Sequence, residues 1–360
     1  MIFSPTSLQA MQAAQFDTVI DARAPAEFAQ DHVPGAINLP VLDDAERAQV
    51  GTVYKQDSPF MARKLGAALV SRNIATHLQG PLSDKPGGWQ PLVYCWRGGQ
   101  RSGAFATILH QIGWRVAVLE GGYKRYRHLV QELLYENSFP SRLLLLDGGT
   151  GSAKTEILKR VSALGGQVID LEALARHRGS LFGAVEEQPA QKLFESCLAQ
   201  AILAMDPTRP VLIEAESNRI GALRLPPAIW HAMQGAPRVR ITAPIAARAV
   251  YSLDAYHDFT DAPARLQSII DALRPFHAAE LIDRWQKLAA TGQFRDLAEE
   301  LIVQHYDPRY LRMRSGKTEV QQIALPDLSE TSQAYAALRL IELLSEGPLK
   351  SCPAERVLPD

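Results

Sequence analysis

Cys95 heads the run Cys95-Trp96-Arg97-Gly98-Gly99-Gln100-Arg101-Ser102, after the apolar triplet Leu92-Val93-Tyr94 and before a helical pattern over 103–112. A cysteine that ends a buried strand and enters a glycine-containing turn stands where parallel α/β sheets place their ligands. Amides of such a loop, and the N-terminus of the helix behind it, can converge on the sulfur and hold an anion. Arg97, Gly98, Gly99 and Arg101 support that loop, the two arginines by adding positive charge. The expected outcome is a thiol pKa below its free value of about 8.5, and so a thiolate nucleophile. The plain alternative is a small buried hydrophobe, which the strand-end position disfavours. Cys197, on a helical run, reads as core, and Cys352 as an incidental tail residue.

A second loop suits anions of another kind. Leu143-Leu144-Leu145-Leu146-Asp147 runs into Gly148-Gly149-Thr150-Gly151-Ser152-Ala153-Lys154-Thr155, with a helical pattern over 154–164 behind it. Strand, glycine-rich loop and helix are the setting of a P-loop. Its amides cradle phosphate oxygens, Lys154 meets a diphosphate, and Thr155 stands near any Mg2+. Ala153 replaces the usual second glycine. Alanine can take helical dihedrals, so the loop is expected to survive, with nucleotide hydrolysis the function most exposed to the change. Glu214 and Glu216 close a further strand-like run. Either can hold Mg2+ through water or act as a helix N-terminal acid met by backbone amides. Asp170, Glu172, His177, Arg178 and Ser180 follow another strand, and with Arg219 they are candidate ligand contacts. His177 alone would be an ordinary surface histidine. No metal ligand set is assigned.

Lys and Arg total 38 against 39 Asp and Glu, a net charge of -1. No global field therefore draws the chain to nucleic acid, and a local basic patch would have to steer it. Tyr306, Arg309, Tyr310, Arg312 and Arg314 form one such patch, with cations for phosphates and tyrosines to stack a splayed base. Lys124 and Arg127 form a second. A solvated basic face is the alternative for both.

These residues need elements to place them. Strands are expected at 18–20, ending on Asp21, and at 36–39, 92–94 and 116–119, with a loop over 79–91 and a closing helix over 123–135. Beyond Asn137-Ser138-Phe139-Pro140 a second unit opens with 143–146, continues with strands at 168–169, 211–213 and 239–241, and turns mostly helical over 264–304. Strands alternating with helices indicate parallel α/β sheets. The domains are accordingly 1–136, a linker 137–141, 142–347 with a helical extension, and a frayed tail 348–360. The chain's 360 residues, 46% apolar, can bury two cores. No apolar run approaches the roughly 20 residues of a membrane span, and the N-terminus lacks a secretory pattern. Three scattered cysteines suit a reducing, cytoplasmic compartment.

The run from Asp21 through Arg23, Glu27, His32 and Gly35 to Pro40 resembles the signature near the start of rhodanese domains. Asp21 and Arg23, at a strand end, can form a buried charge pair that ties loops together. Leu119-Glu120-Gly121-Gly122-Tyr123-Lys124 resembles the motif at the end of such domains. Cys95 and Arg101 also keep the Cys-x5-Arg spacing of some phosphatases on the same fold. A tetrahedral phosphorus group suits a loop of that length, so the loop alone leaves a phosphatase and a rhodanese-type transferase both open. Taken in order with the glycine-rich loop and the runs 170–183 and 214–221, these motifs resemble the tRNA 2-selenouridine synthase family over nearly the whole chain.

The resemblance implies an α/β protein: a rhodanese-like parallel-sheet domain, then a P-loop NTPase-like α/β domain with extra helices. It implies selenophosphate-dependent replacement of sulfur by selenium in wobble-position 2-thiouridine, through S-geranylation with geranyl diphosphate. Cys95 would serve the selenium step and residues 148–155 the diphosphate, with no tightly bound cofactor. The partners it implies are the tRNA anticodon region and an enzyme that supplies selenophosphate. Two rival readings stand beside it. One is a rhodanese-type sulfurtransferase or Cys-x5-Arg phosphatase fused to a nucleotide kinase-like domain. The other is a tRNA-binding module with an inactive P-loop, for which Ala153 speaks.

Overall fold

A computed structural model of the protein describes residues 1–177, 187–255, 263–312 and 321–346. The chain forms two compact units: Met1–Ser138 with Pro189–Ala204 and Pro226–Ala228, and Phe139–Gln188 with Met205–Leu225 and the chain from Ile229 on. A division drawn along the chain would leave 189–204 with the second unit. Contacts group it with the first because the helix Gln191–Leu203 buries Phe194, Glu195, Ser196 and Leu198, and Ser196 there bonds to Asp31.

The strands of the first unit are β1 (Ile2–Phe3), β2 (Thr18–Asp21), β3 (Ile37–Asn38), β4 (Pro91–Tyr94) and β5 (Ala117–Leu119). They lie in the order β1-β5-β4-β2-β3, every neighbouring pair parallel. All four residues of the central β4 are buried. A strand covered on both faces has no polar side to alternate with, which is why this one reads as an unbroken apolar run. Two helices that the motif reading passed over, Asp44–Gln56 and Pro59–Gln79, lie between β3 and β4. Each is announced by its first turn. Asp43 and Glu46 form a reciprocal capping box, and Ser58 accepts from the Met61 N–H at 3.1 Å ahead of Pro59. Ile20, Val41, Val93, Phe105 and Leu109 make the inner part of this unit's core.

The second unit holds β6 (Leu143–Gly148), β7 (Gln167–Ile169), β8 (Val211–Glu214), β9 (Arg219–Ile220), β10 (Leu223–Arg224), β11 (Arg238–Thr242) and β12 (Gln321–Ala324). Five of them form a parallel sheet in the order β12-β11-β6-β8-β7, and β9 and β10 pair as a short antiparallel ribbon. The central β6 is buried at all six positions, and it delivers the glycine-rich loop from the middle of the sheet. Leu146, Ile157, Val161, Leu212, Ala336 and Leu340 pack around it. The helices Pro263–Asp271, Ala279–Ala290 and Phe294–Leu301 enclose a core of their own around Ile270, Ile282, Trp285 and Leu297. Among the described residues no helix is long and apolar enough to cross a membrane.

Candidate functional site

Cys95 leaves β4 with only 3% of its surface exposed. Burial pushes its thiol pKa up, but hydrogen bonds from the Ser102 hydroxyl and from the backbone N–H groups of Ser102, Arg97 and Gly99 outweigh that, and the net direction is down. The Ser102 Oγ lies 3.1 Å from Sγ. The amides expected to converge on the sulfur thus do so, joined by the Ser102 hydroxyl. Arg101 is drawn instead to Glu27, 2.8 Å away, and Arg97 is exposed on the loop.

The Gly121-Gly122-Tyr123 turn locks this loop from behind. Gly122 has φ +57, and a Cβ there would stand 2.2 Å from the Cys95 carbonyl oxygen. That closeness lets the Tyr123 N–H donate to the same oxygen at 2.8 Å, and the Lys124 N–H to that of Trp96 at 3.2 Å. The Tyr123 hydroxyl donates to buried Asp31 at 2.7 Å, which also accepts from Ser196 at 2.7 Å. Asp21 and Arg23 form the expected buried pair, 2.6 Å apart. Arg23 also donates to the Asp31 carbonyl at 2.6 Å and lies 4.0 Å over the Tyr123 ring.

In the second unit, Lys154 opens the helix Lys154–Ala163 and donates its ammonium to the Gly148 carbonyl at 2.9 Å. Thr155 Oγ1 lies 3.3 Å from Glu172 Oε2. Ala153 departs from the helical dihedrals expected of it, with φ 57 and ψ 25, in the left-handed region. The P-loop path sets that conformation, at a cost of about 1 to 2 kcal/mol for an L-residue. Glu214, the last residue of β8, accepts the Glu172 N–H on one oxygen at 3.0 Å. This is the backbone-bonded alternative for that acid. Its other oxygen is buried without a partner. Asp170 caps the helix Leu171–Ala175 through the Ala173 N–H at 2.7 Å.

Burial raises all four carboxyls. Glu172 reaches about 7, with Lys154 opposing the rise and Glu216 and Asp170 adding to it. Glu214 rises well above the ordinary carboxyl range, through burial and then the charges of Glu172 and Asp170. Asp170 and Glu216 move the same way. The cluster therefore retains protons that free carboxyls would have lost. Among the described residues no three His, Cys, Asp or Glu side chains are grouped to hold a metal ion.

The remaining candidates divide. His177 is half-buried, and burial lowers its pKa. Arg178, Ser180 and Arg314 lie outside the described residues. Arg219 is exposed, and its Nε donates to the Gly221 carbonyl at 2.9 Å. Tyr310, expected as a base-stacking platform, is held at the P-loop strand, where its hydroxyl donates to Asp147 and accepts the Gly148 N–H. Tyr306 packs against the helical core, and Arg309 lies 4.2 Å over the Phe276 ring. Arg312 ends the helix Asp307–Arg312. Lys124 is exposed, while Arg127 is tied to Glu195 and the Lys192 carbonyl.

Sequence reasoning did not single out Ser102, Glu27, Arg248 or Asp307. Ser102 carried a signal, because it lies in the first turn of the helix behind the cysteine, Gln100–Ile112. Arg248 carried none. It lies on the helix Ile245–Ala255, its guanidinium donating to the Thr150 carbonyl at 2.9 and 2.8 Å and to both Asp307 oxygens at 2.9 and 2.7 Å.

A family model described as the tRNA 2-selenouridine synthase AAA domain matches residues 141–337, and one for the rhodanese-like domain matches residues 4–129. The tRNA 2-selenouridine synthase of Nitrosomonas europaea is 35% identical over 294 residues, 80% of this chain and 73% of its own. That of Bdellovibrio bacteriovorus is 39% identical over 252 residues, 66% of this chain and 64% of its own. That of Shewanella denitrificans is 38% identical over 239 residues, 64% and 63% of the two chains. The match thus spans less than two thirds of the latter two relatives. Among solved structures, the N-terminal domain of a protein of Clostridium difficile 630 described as ATP/GTP binding is 34% identical, covering 36% of this chain and 98% of its own with a TM-score of 0.31. A rhodanese-related protein from Thermoplasma volcanium is 20% identical, covering 32% and 77% with a TM-score of 0.20.

Proposed function

The chain belongs to the tRNA 2-selenouridine synthase family, and from that premise we propose that it exchanges sulfur for selenium in wobble-position 2-thiouridine of tRNA, using geranyl diphosphate and selenophosphate in turn. The observation that carries this reading is the pairing in one chain of a thiol with a lowered pKa and a glycine-rich loop that opens the helix Lys154–Ala163, with the Lys154 ammonium held 2.9 Å from the Gly148 carbonyl. A 2-thiouracil ring readily loses a proton, and its sulfur is then a good nucleophile and a poor leaving group. Attack of that sulfur on the first carbon of geranyl diphosphate forms a C–S bond and releases diphosphate. Lys154 neutralises the charge that builds on the departing group. Alkylation removes the ring's negative charge, so C2 becomes the better electrophile for selenium. In that second step the selenium of selenophosphate bonds to C2, the C2–S bond breaks to release geranyl thiol, and water takes the phosphoryl group from selenium as phosphate, with Cys95 serving as a thiolate. A Mg2+ carried in with the diphosphate would find hard oxygen donors in Thr155 and Glu172, whose side-chain oxygens lie 3.3 Å apart.

Nucleoside mass spectrometry of digested tRNA tests the division of labour. Cys95→Ser should still geranylate 2-thiouridine and accumulate that product, yet form no 2-selenouridine with selenophosphate. Lys154→Ala should form neither. Wild-type 2-selenouridine from Cys95→Ser, or undiminished geranylation by Lys154→Ala, would refute the assignment. Rapid thiocyanate formation from thiosulfate, or hydrolysis of an aryl phosphate, would favour the sulfurtransferase or phosphatase instead.

A further inference from the structure

Arg248 is 8% exposed, and a guanidinium buried that far needs partners for its donors. It has them on two sides. Nε and Nη2 converge on the Thr150 carbonyl at 2.9 and 2.8 Å, while Nη1 and Nη2 grip the two oxygens of Asp307 at 2.9 and 2.7 Å. The loop is cut to admit this side chain. A Cβ on Gly149 would stand 2.5 Å from Nη2 of Arg248, and one on Gly151 would stand 2.7 Å from the Arg248 carbonyl oxygen and 2.4 Å from the Ser252 hydroxyl. Two of the loop's glycines thus make room for Arg248 and its helix, whatever they do for a ligand.

Resting on the reading of residues 148–155 as a diphosphate site, we propose that Arg248, held by Asp307, is a positioning residue that aims one of the loop's amides. The Thr150–Gly151 peptide is trans, and in a planar trans peptide the C=O and the following N–H point in opposite directions. Anchoring the Thr150 oxygen on the guanidinium therefore turns the Gly151 N–H away from Arg248. Among the described residues no protein acceptor takes that N–H, so it is a donor held ready for an anion. Lysine cannot replace this arginine. A single ammonium cannot grip a carbonyl and both oxygens of a carboxylate in one plane.

Thr-Gly occurs in the sequence at Thr150-Gly151 and at Thr291-Gly292 and nowhere else. Protein labelled with carbonyl-13C threonine and 15N glycine therefore reports both amides by NMR, the second as an internal control. Inorganic diphosphate added to the full chain should move the Gly151 amide proton downfield and leave Gly292 in place. Arg248→Lys should abolish that movement and weaken diphosphate binding about 10- to 100-fold, the value of one hydrogen bond to a charged group. Asp307→Asn, which keeps one acceptor oxygen, should weaken both effects in part, and it serves as the test should Arg248→Lys not fold. An unmoved Gly151 amide in diphosphate-bound wild type, or wild-type affinity in both variants, overturns the proposal. Failure of the wild type to bind diphosphate at all, with Lys154→Ala indistinguishable from it, overturns the diphosphate reading and the inference with it. Binding that Lys154→Ala weakens and both other variants leave intact overturns the inference alone.

Discussion

Removing the Ser102 hydroxyl should make Cys95 a poorer nucleophile by an amount the local geometry sets. The Oγ–Sγ contact is 3.1 Å, and the thiol is 3% exposed, so bulk water screens the interaction little. A hydrogen bond to a charged group contributes about 1.5 to 3 kcal/mol. The low end applies here, because the Ser102 Oγ also lies 3.3 Å from the Gly99 carbonyl oxygen, which competes for its single proton, and three backbone N–H groups remain on the sulfur. About 1.5 kcal/mol corresponds to roughly tenfold fewer thiolates at any pH below the titration midpoint. Burial, which pushes the thiol pKa up, is unchanged by Ser102→Ala and would no longer be fully offset. The assay is the ultraviolet absorbance of the thiolate across pH, taken as the difference between each protein and its Cys95→Ser counterpart to remove Cys197 and Cys352. The midpoint should move upward in Ser102→Ala. A midpoint that stays in place or moves down would refute the account of how this thiol is activated.

Gly122→Ala should cost about 1 to 2 kcal/mol for its left-handed backbone alone and also displace the Cys95 carbonyl, which its Cβ would approach to 2.2 Å; selenium transfer should fall while geranylation persists, as read by nucleoside mass spectrometry. Ala153→Gly removes the strain at φ 57 and adds chain entropy to the unfolded state, so urea unfolding should show a net gain of about 0.5 to 1 kcal/mol. Burial is the main cause that lifts Glu172 from 4.5 to about 7. A carboxyl raised on folding contributes stability that is complete below its unfolded pKa and is lost as pH climbs through the folded one. The wild type should therefore weaken across that window and Glu172→Gln should weaken less, so equal slopes of urea-derived stability against pH would count against the buried carboxyl cluster.

Both candidate loops were legible in the sequence because their signals are local. Leu92-Val93-Tyr94 and the leucine run at 143–146 belong to strands buried on every residue, and burial on both faces writes itself as an unbroken apolar run. A cysteine or a glycine-rich segment directly after such a strand must emerge at the sheet's edge, so Cys95 and Lys154 could be placed without coordinates. The Asp21–Arg23 pair was equally accessible, being two residues apart at a strand end. The tertiary fold alone supplied the partners that decide how these groups behave. Arg248 meets Thr150 across 98 positions, Ser196 meets Asp31 across 165, and Tyr310 meets Asp147 across 163. Contacts at such separations leave no periodicity and no motif. The internal partners of Tyr310 and Arg127, two residues expected to contact nucleic acid, are accordingly invisible in the sequence. Arg101, expected to add positive charge beside the loop amides, is paired with Glu27 across 74 positions. Ala153 tells the same story for the backbone, since its left-handed dihedrals follow from the path between β6 and the helix behind it and not from any preference of alanine.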